Sequence, residues 1–441
     1  MAPVKGFLAR SDFPLYAVRA LDCSHFLVAG GGGQAKTGVP NAIEIYELKQ
    51  TEESVQASSI CRHDAGSEAI MNCSSFYDGR NYIIACGQDE KCKIYSVRYK
   101  VVSPSKANSD GKSEGDIRKR KGGSDGDEVK SSLNDTKYLT FDVQLIQSVQ
   151  TDFDKDGGFQ KVVRFSLDHS FVATGGADGF LRVWKYPDMK KKFQVQAHKS
   201  DIDDLDISPA GDRIVTVSRD GTGMVWNVKD GQHHCDLLWP VKEAVHYRFR
   251  CCRYGLIEGK KDKFNLYTLS IPVKRSSKPD LCYISLWDSN SIQMKKTANT
   301  GTEVLSALAV SDDGIYLGVG TISGSVSVYI SFSLQRLYHV KETHSIFVTG
   351  LEFLPMSEAT RAIVGSQDFS MLSVSADNTI KIHHMPERKS LDKVNRSIKV
   401  CKVSGRRPKI STHSLSVADD LSNPTLRACL QLQPDPILTC L

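Results

Sequence analysis

The stretch Asp178-Gly179-Phe180-Leu181-Arg182-Val183-Trp184 decides the fold of this chain, because a tight turn leads directly into a short strand that ends in an aromatic residue. The same arrangement returns at Asp220-Gly221-Thr222-Gly223-Met224-Val225-Trp226, so that the two tryptophans lie 42 residues apart. Trp287 and Tyr329 repeat the spacing of 42 residues. A period of about 40–45 residues, with four short strands in each unit, is typical of the blades of a β-propeller.

The unit that ends at Tyr329 also matches well, and four weaker copies fill most of the remaining chain. Their last strands end at Tyr46, Tyr95, Trp287 and His383. The unit that ends at Trp287 is stretched by a Lys-rich insertion. With the three strong units, this pattern resembles the WD-repeat family and predicts an all-β, seven-bladed propeller over residues 13–390.

Two segments lack the strand alternation. Residues 101–137 hold 8 basic and 7 acidic residues, are rich in Ser and Gly, and predict a disordered loop inside or directly after the second blade. Residues 391–441 predict a disordered basic tail. Residues 386–441 hold 10 basic and 5 acidic residues, so nearly the whole net charge of +6 lies there. The predicted propeller is therefore close to neutral, which is weak support for a nucleic-acid surface.

The composition also indicates the cellular compartment of the protein. The chain of 441 residues contains 12 cysteines, far fewer than a disulfide scaffold of this length would have. No run of about 18 apolar residues is present, and the first residues lack a secretory signal. We therefore expect reduced cysteines and a location in the cytosol or nucleus.

One histidine could be either catalytic or structural. His198, Ser218, Asp220 and Trp226 would be compatible with a Ser-His-Asp arrangement, but each falls where the repeat itself places it. We therefore interpret the four as the structural hydrogen-bond set of a WD blade, and His344 in the same way.

Several pairs of residues could suggest a metal site. His233-His234-Cys235 and His383-His384 lack a second ligand pair at zinc-site spacing. Cys251 and Cys252 are neighbours on a predicted strand and therefore point to opposite faces of the sheet. No metal site is expected at these positions.

A glycine-rich segment near the start is the main anomaly. It reads Gly30-Gly31-Gly32-Gly33-Gln34-Ala35-Lys36-Thr37-Gly38-Val39-Pro40-Asn41 and follows the predicted strand Phe26–Val28. A phosphate-binding P-loop needs Gly where Ala35 stands, and a dinucleotide-binding loop needs a following helix, whereas a strand follows here. The repeat register predicts an enlarged connection between the second and third strands of the first blade. Three uses stay open: a plain surface loop, a backbone that approaches a partner closely, and carbonyl groups that surround a cation.

This loop resembles the potassium-binding loop of the endoplasmic-reticulum exchange factors that start COPII coat assembly. The resemblance extends from about Phe13 to Pro386 and is interrupted by residues 101–137. Further matching segments are Phe13-Pro14-Leu15-Tyr16-Ala17, Val149-Gln150-Thr151-Asp152-Phe153, Ala173-Thr174-Gly175-Gly176-Ala177-Asp178-Gly179 and Gly324-Ser325-Val326-Ser327-Val328-Tyr329-Ile330-Ser331-Phe332-Ser333-Leu334-Gln335.

The resemblance implies a propeller that binds a small GTPase of the COPII system and speeds the release of GDP without covalent chemistry. Asn41 would be the catalytic side chain, and the backbone around Gly30, Gly31, Gly32 and Gly33 would bind a potassium ion. No organic cofactor and no small-molecule substrate are implied. The residues expected to contact the GTPase are Gly33, Gln34, Ala35, Lys36, Thr37, Gly38, Val39 and Pro40.

The family also implies a location on the cytosolic face of the endoplasmic reticulum, held by a membrane helix after the last blade. Residues 391–441 are polar and basic instead. We therefore expect this chain to lack that anchor and to be soluble in the cytosol or partly nuclear. Two other functions stay open. The basic runs Arg118–Lys121 and Arg406–Lys409 fit a nuclear DNA-binding regulator, and the repeats alone fit a scaffold without exchange activity, which would not need the glycine loop.

Overall fold

The computed structural model describes residues 6–34, 38–51, 54–102, 138–239, 246–274 and 279–386. Within these ranges, seven antiparallel sheets of four strands each form the blades of a propeller. The first strands of neighbouring blades contact one another in a closed ring around a central channel. The predicted all-β fold and the number of blades are therefore confirmed.

The strands follow one another blade by blade. Blade 1 contains β2 (Leu15–Ala20), β3 (His25–Gly31), β4 (Asn41–Gln50) and β5 (Val55–Asp64). Blade 2 contains β6 (Ile70–Tyr77), β7 (Tyr82–Gln88), β8 (Lys91–Val102) and β9 (Tyr138–Gln150). Blade 3 contains β10 (Gln160–Phe165), β11 (Phe171–Gly176), β12 (Phe180–Lys185) and β13 (Lys190–Gln196). Blade 4 contains β14 (Ile202–Ile207), β15 (Arg213–Ser218), β16 (Gly223–Asn227) and β17 (His233–Asp236).

The remaining blades complete the ring. Blade 5 contains β18 (Tyr247–Ile257), β19 (Lys260–Pro272), β20 (Cys282–Asp288) and β21 (Met294–Gly301). Blade 6 contains β22 (Leu305–Val310), β23 (Tyr316–Thr321), β24 (Val326–Ile330) and β25 (Arg336–Val340). Blade 7 contains β26 (Val348–Phe353), β27 (Gln367–Ser375), β28 (Thr379–Pro386) and, as its fourth strand, β1 (Phe7–Arg10).

The ring is closed by the first strand of the chain. β1 pairs antiparallel with β28, with Phe7 opposite Lys381 and Arg10 opposite Thr379. The propeller start predicted at Phe13 misses this strand. Four residues without a local partner carry no repeat signal, because their hydrogen-bond partners lie at the other end of the chain.

Three local features differ from the sequence expectations or refine them. Residues 103–137 lie between β8 and β9, so the insertion belongs to blade 2; its predicted disorder, like that of the tail, falls outside the described residues. The Lys-rich stretch of blade 5 is part of the long β18–β19 hairpin, which turns at Gly259, and is not an inserted loop. A short helix, α1 (Glu358–Val364), joins β26 to β27 and begins at the N-cap Ser357, whose side chain accepts a hydrogen bond from Thr360 N.

Apolar residues hold neighbouring blades together. One buried cluster fills each of the seven spaces between adjacent blades. The cluster between blades 7 and 1 contains Leu8 of β1 and Phe26 of β3, so ring closure also buries apolar surface. Because β-strands alternate, Cys251 and Cys252 enter different clusters, as the sequence predicts.

The connections between strands define two faces. In each antiparallel blade, the connection from the second to the third strand lies on the same face as the connection to the next blade. We call this side the loop face, because the glycine-rich connection from β3 to β4 lies on it. Connections from the third to the fourth strand lie on the opposite face.

Candidate functional site

The histidine of blade 4 lies in a buried hydrogen-bond network. His198 Nδ1 lies 3.2 Å from Asp220 Oδ2 and 2.9 Å from Thr222 Oγ1. Its Nε2 lies 2.8 Å from Thr216 Oγ1, and the same hydroxyl accepts a hydrogen bond from Trp226 Nε1 at 2.9 Å. The histidine side chain has no exposed surface, and burial lowers its pKa. The geometry therefore supports the structural interpretation over a catalytic triad.

One member of the predicted set occupies a different place. Ser218 Oγ accepts a hydrogen bond from Asp220 N and donates to Ser200 O, so it supports the turn and does not contact the histidine ring. The residue that joins histidine to tryptophan is Thr216, which sequence reasoning missed. Its signal is its spacing, since it stands ten residues before Trp226.

The same network recurs in blade 7 with a different aromatic partner. His344 Nδ1 lies 2.7 Å from Thr379 Oγ1 and 3.4 Å from Asp377 Oδ1. Its Nε2 lies 2.7 Å from Ser373 Oγ, which also contacts His383 Nε2 at 2.8 Å. His383 thus occupies the position that tryptophan has in blade 4, and it belongs to the structural network. In the described part of the chain, no group of three or more His, Cys, Asp or Glu residues could hold a metal ion.

The glycine-rich connection lies where the repeat register predicts it, between the second and third strands of blade 1. β3 continues through Gly30 and Gly31, which pair with Ala42 and Asn41. Gly31 N also donates to Pro14 O at 3.0 Å. The connection then runs from Gly32 to Pro40 on the loop face, and its residues 35–37 fall outside the described residues.

Three of the four consecutive glycines are required by close approach. A Cβ on Gly30 would lie 1.9 Å from Pro14 O, and one on Gly32 would lie 2.7 Å from Val39 Cβ. Gly31 has φ +143°, and its Cβ would lie 2.1 Å from Asn41 Oδ1. Gly33 has open space around it but adopts φ +75°, which favours glycine. The sequence run is therefore explained by packing and backbone conformation.

Asn41 fixes the connection from within. It is 5% exposed, and its Oδ1 accepts a hydrogen bond from Gly33 N at 2.8 Å. Its Nδ2 donates to Gly33 O at 3.3 Å and to Gly66 O at 2.9 Å. Gly66 lies between blades 1 and 2, so this one amide ties the glycine run to the neighbouring blade.

A second hydrogen bond joins the glycine-rich connection to blade 2, and it is more exposed. Gln34 Nε2 donates to Asp89 Oδ2 at 2.6 Å, and Asp89 lies in the turn between β7 and β8 of blade 2. The described start of the connection is therefore fastened to blade 2 at two places. Such fastening reduces the number of conformations available to a glycine-rich segment.

Comparison with known proteins identifies the family of this chain. The chain is 38% identical over 389 residues to the guanine nucleotide-exchange factor SEC12 of Rattus norvegicus, which covers 87% of this chain and 91% of the relative. The chain belongs to the SEC12 family. SEC12 of Mus musculus matches with the same identity and coverage. SEC12-like protein 1 of Arabidopsis thaliana is 28% identical over 203 residues, or 46% of this chain and 48% of that relative.

The repeat model matches two of the three units with a strong sequence pattern. The description "WD domain, G-beta repeat" matches residues 155–185 and 189–227, which correspond to blades 3 and 4. The other five blades of this SEC12-family chain lie outside the matched residues, and four of them have the weaker sequence pattern. Within the described ranges, no helix has the length and apolar character needed to cross a membrane.

Only some of the residues expected to contact a GTPase in a SEC12-family protein are exposed. Gln34 and Gly38 are exposed, while Gly33, Val39 and Pro40 are half-buried. Ala35, Lys36 and Thr37 fall outside the described residues. Asn41 lies beneath this surface, so the structure gives its side chain a positioning contact with Gly33.

The glycine run offers backbone carbonyl oxygens, which are the type of ligand that an alkali cation takes. Backbone carbonyl oxygens are the ligands that bind potassium in proteins such as channels. At Gly31 and Gly33 the positive φ values turn the backbone out of regular strand conformation, and neither residue has a Cβ that would shield a carbonyl. One carbonyl, Gly33 O, already accepts the bond from Asn41.

Proposed function

We propose that this protein promotes the release of GDP from the small GTPase that initiates COPII coat assembly, and that it does so without covalent chemistry. The observation that carries the proposal is the glycine loop, fastened on the loop face by buried Asn41, in a chain of the SEC12 family. A scaffold that only joins proteins does not need such a loop.

The mechanism follows from differential binding. An exchange factor must bind the nucleotide-free GTPase more tightly than the GDP-bound form, because only that difference favours GDP release. A loop fixed before the encounter supports this difference, since less conformational entropy is lost when the complex forms. Asn41 supplies the fixation by holding both the N–H and the carbonyl group of Gly33.

The contact with the GTPase is assigned to the exposed part of the loop. Gln34 and Gly38 would meet the partner directly, with Val39 and Pro40 at their side and the segment Ala35-Lys36-Thr37 between them. Val39 also packs over Gly32. The buried amide of Asn41 acts beneath these residues as a positioning group.

We extend the proposal to potassium. The backbone around Gly30, Gly31, Gly32 and Gly33 would hold the ion, which would supply a fixed positive charge at the base of the loop. Gly31 N and Gly33 N point to other partners, Pro14 O and Asn41 Oδ1, so both N–H groups are already satisfied.

The location and further partners follow the family resemblance. We assign the protein to ER-to-Golgi vesicle transport at the cytosolic face of the endoplasmic reticulum, with the COPII coat machinery as its functional context. Fractionation of cells that express the full chain tests this assignment. A purely nuclear distribution would contradict it.

Release of fluorescent GDP from the COPII GTPase tests the central proposal. The wild-type chain is expected to accelerate release in potassium buffer, and Asn41→Ala is expected to lose most of the acceleration because Gly33 and Gly66 lose their shared partner. Asn290→Ala is the matched control, since this exposed asparagine lies in the β20–β21 turn on the opposite face.

The outcomes separate the parts of the proposal. A folded wild-type chain that leaves GDP release unchanged in either buffer would refute the exchange function. Equal rates in potassium and in sodium at matched ionic strength would refute the role of potassium and leave the exchange function standing. Thermal unfolding in the two buffers gives a second readout for ion binding, with a higher Tm expected in potassium.

A further inference from the structure

A large cavity opens at the end of the central channel on the loop face. Its volume is about 900 Å³, and it is lined on one side by Tyr16 and Met71 and on the other by residues of blades 5, 6 and 7. Val273, Ile322 and Phe347 form part of this wall and are 50%, 36% and 41% exposed. We call this space the mouth cavity. Its apolar wall remains open to solvent, which is unusual for a surface without a partner.

Among the described residues, more cations than carboxylates line the mouth cavity: Arg248, Arg250 and Lys274 against Asp280. Arg248 and Arg250 also pair with Asp203, which lies in the channel below. This carboxylate is shared with two further cations, Lys161 and Arg219. Positive charge therefore exceeds negative charge around the cavity, so an anion that enters it would meet a favourable potential.

Arg250 is the cation best placed to receive that anion. It lines the mouth cavity and the narrower channel below it, and its side chain is 31% exposed. Its nearest carboxylate oxygen, on Asp203, lies 4.0 Å away, and among the described residues its guanidinium donates no closer hydrogen bond. A guanidinium with unused N–H groups is suited to bidentate recognition of a carboxylate.

The mouth cavity lies next to the strand that pairs with the base of the glycine loop. Gly30 pairs with Leu15 across β2 and β3, and Tyr16, which follows Leu15, lines the cavity. Neighbouring strands are about 4.8 Å apart and successive residues about 3.3 Å apart, so Gly30 at the base of the loop and Tyr16 are separated by roughly 8 Å. One protein that covers the loop would also reach the cavity.

The loop alone is too small to form a stable interface. Nine positions separate β3 from β4, whereas a specific protein interface uses about 20–30 residues on each side. The remainder must come from the surrounding face, and interface centres are apolar with charges arranged for complementarity. The mouth cavity offers both properties.

We propose that the GTPase inserts an apolar side chain into the mouth cavity and places a neighbouring carboxylate on Arg250. This inference rests on the proposed exchange function and extends it, because it gives the same partner a second contact that determines affinity. The glycine loop acts on the nucleotide site of the GTPase, and the mouth cavity holds the GTPase in place.

Two variants and a matched control test this inference in the full chain. Ile322→Asp puts a negative charge at the apolar wall, and Arg250→Gln removes the charge that receives the carboxylate. Phe332→Asp is the control, because Phe332 is 61% exposed on the same blade but lies in the β24–β25 turn on the opposite face. Thermal unfolding checks that all three variants are folded.

The readouts are the Kd for the nucleotide-free GTPase and the dependence of GDP release on exchange-factor concentration. Ile322→Asp and Arg250→Gln are each expected to raise the Kd and the half-saturating concentration about tenfold or more, since a lost interfacial charge contact typically has this effect. The maximal rate should stay close to that of the wild type, and Phe332→Asp should match the wild type in both readouts.

Three outcomes would overturn the inference, and they can be distinguished. Wild-type affinity in Ile322→Asp and Arg250→Gln, with exchange lost in Asn41→Ala, would remove the mouth cavity from the interface and leave the exchange function intact. An equal loss in Phe332→Asp would show that the effect is not specific to the loop face. A wild-type chain that neither binds the GTPase nor releases GDP would remove the proposed function and this inference together.

Discussion

Replacement of Gly31 by alanine tests whether the glycine loop is built on close backbone approach. A Cβ at this position would lie 2.1 Å from Asn41 Oδ1 and 2.6 Å from Asn41 Cα. The Oδ1 atom could rotate away, but Cα belongs to β4, which pairs with strands on both sides. The backbone φ of +143° is also unfavourable for alanine. Gly31→Ala therefore combines a steric conflict with a conformational one.

The size of the effect follows from these two contributions. Overpacking costs about 1–3 kcal/mol, and a positive φ costs about 1–2 kcal/mol for a residue with a Cβ. Gly31→Ala is therefore expected to lower the free energy of unfolding by about 2–5 kcal/mol. Gly33→Ala is the matched comparison, because Gly33 has φ +75° and no heavy atom within 4 Å of its Cβ position. It should lose only about 1–2 kcal/mol.

Urea denaturation of the two variants measures the difference. Equal losses of stability, within about 0.5 kcal/mol, would refute the close-approach argument. In the GDP-release assay, Gly31→Ala should behave like Asn41→Ala, because a displaced Asn41 can no longer hold Gly33. Wild-type exchange by a destabilised Gly31→Ala would show that the position of Asn41 does not control the loop.

Three further predictions concern the scaffold and are checked by urea denaturation. Thr216→Val leaves two buried ring nitrogens without their shared partner and should cost about 2–4 kcal/mol, whereas an exposed control, Thr302→Val, should cost little. Burial alone raises the pKa of Asp377, but hydrogen bonds from His344, Thr379 and Ser345 outweigh it and lower this pKa. Asp377→Asn should therefore reduce stability by about 1–3 kcal/mol at pH 7, and the difference should shrink progressively as the pH falls from the ordinary carboxyl pKa of about 4 toward the lower pKa of the folded state; a constant difference would contradict the role of the charge. Ser357→Ala removes the N-cap of α1 and should cost about 1 kcal/mol.

The repeat period explains how much of the fold the sequence predicts. Trp184 and Trp226 lie at the same place in their blades, on the third strand, and so do Trp287 and Tyr329. Their common spacing therefore predicts seven blades correctly, although only two match the repeat model. Periodicity detects units that are complete in themselves. β1 completes a blade whose other strands lie more than 300 residues away, so no local pattern could reveal it.

In the candidate site, too, the repeat spacing predicts one part, and contacts between neighbouring blades determine the rest. The place of the glycine loop follows from counting back from Tyr46, and the structure agrees with that register. The burial of Asn41 and its bond to Gly66 depend on how blade 2 packs beside blade 1, which spacing alone does not specify. The charges around Asp203 come from blades 3, 4 and 5, and only the closed ring brings them together.

The fastening of the loop has an energetic consequence for exchange. Each residue that becomes fixed on binding costs about 1–2 kcal/mol of backbone entropy. Gly31 and Gly33 are already held in the free protein, by Pro14 O and by Asn41, so this cost is met during folding and not when the GTPase binds. Without the Asn41 side chain, part of this backbone entropy would instead be lost when the GTPase binds. Asn41→Ala should therefore weaken the complex with the nucleotide-free GTPase even though the Asn41 side chain lies beneath the loop surface.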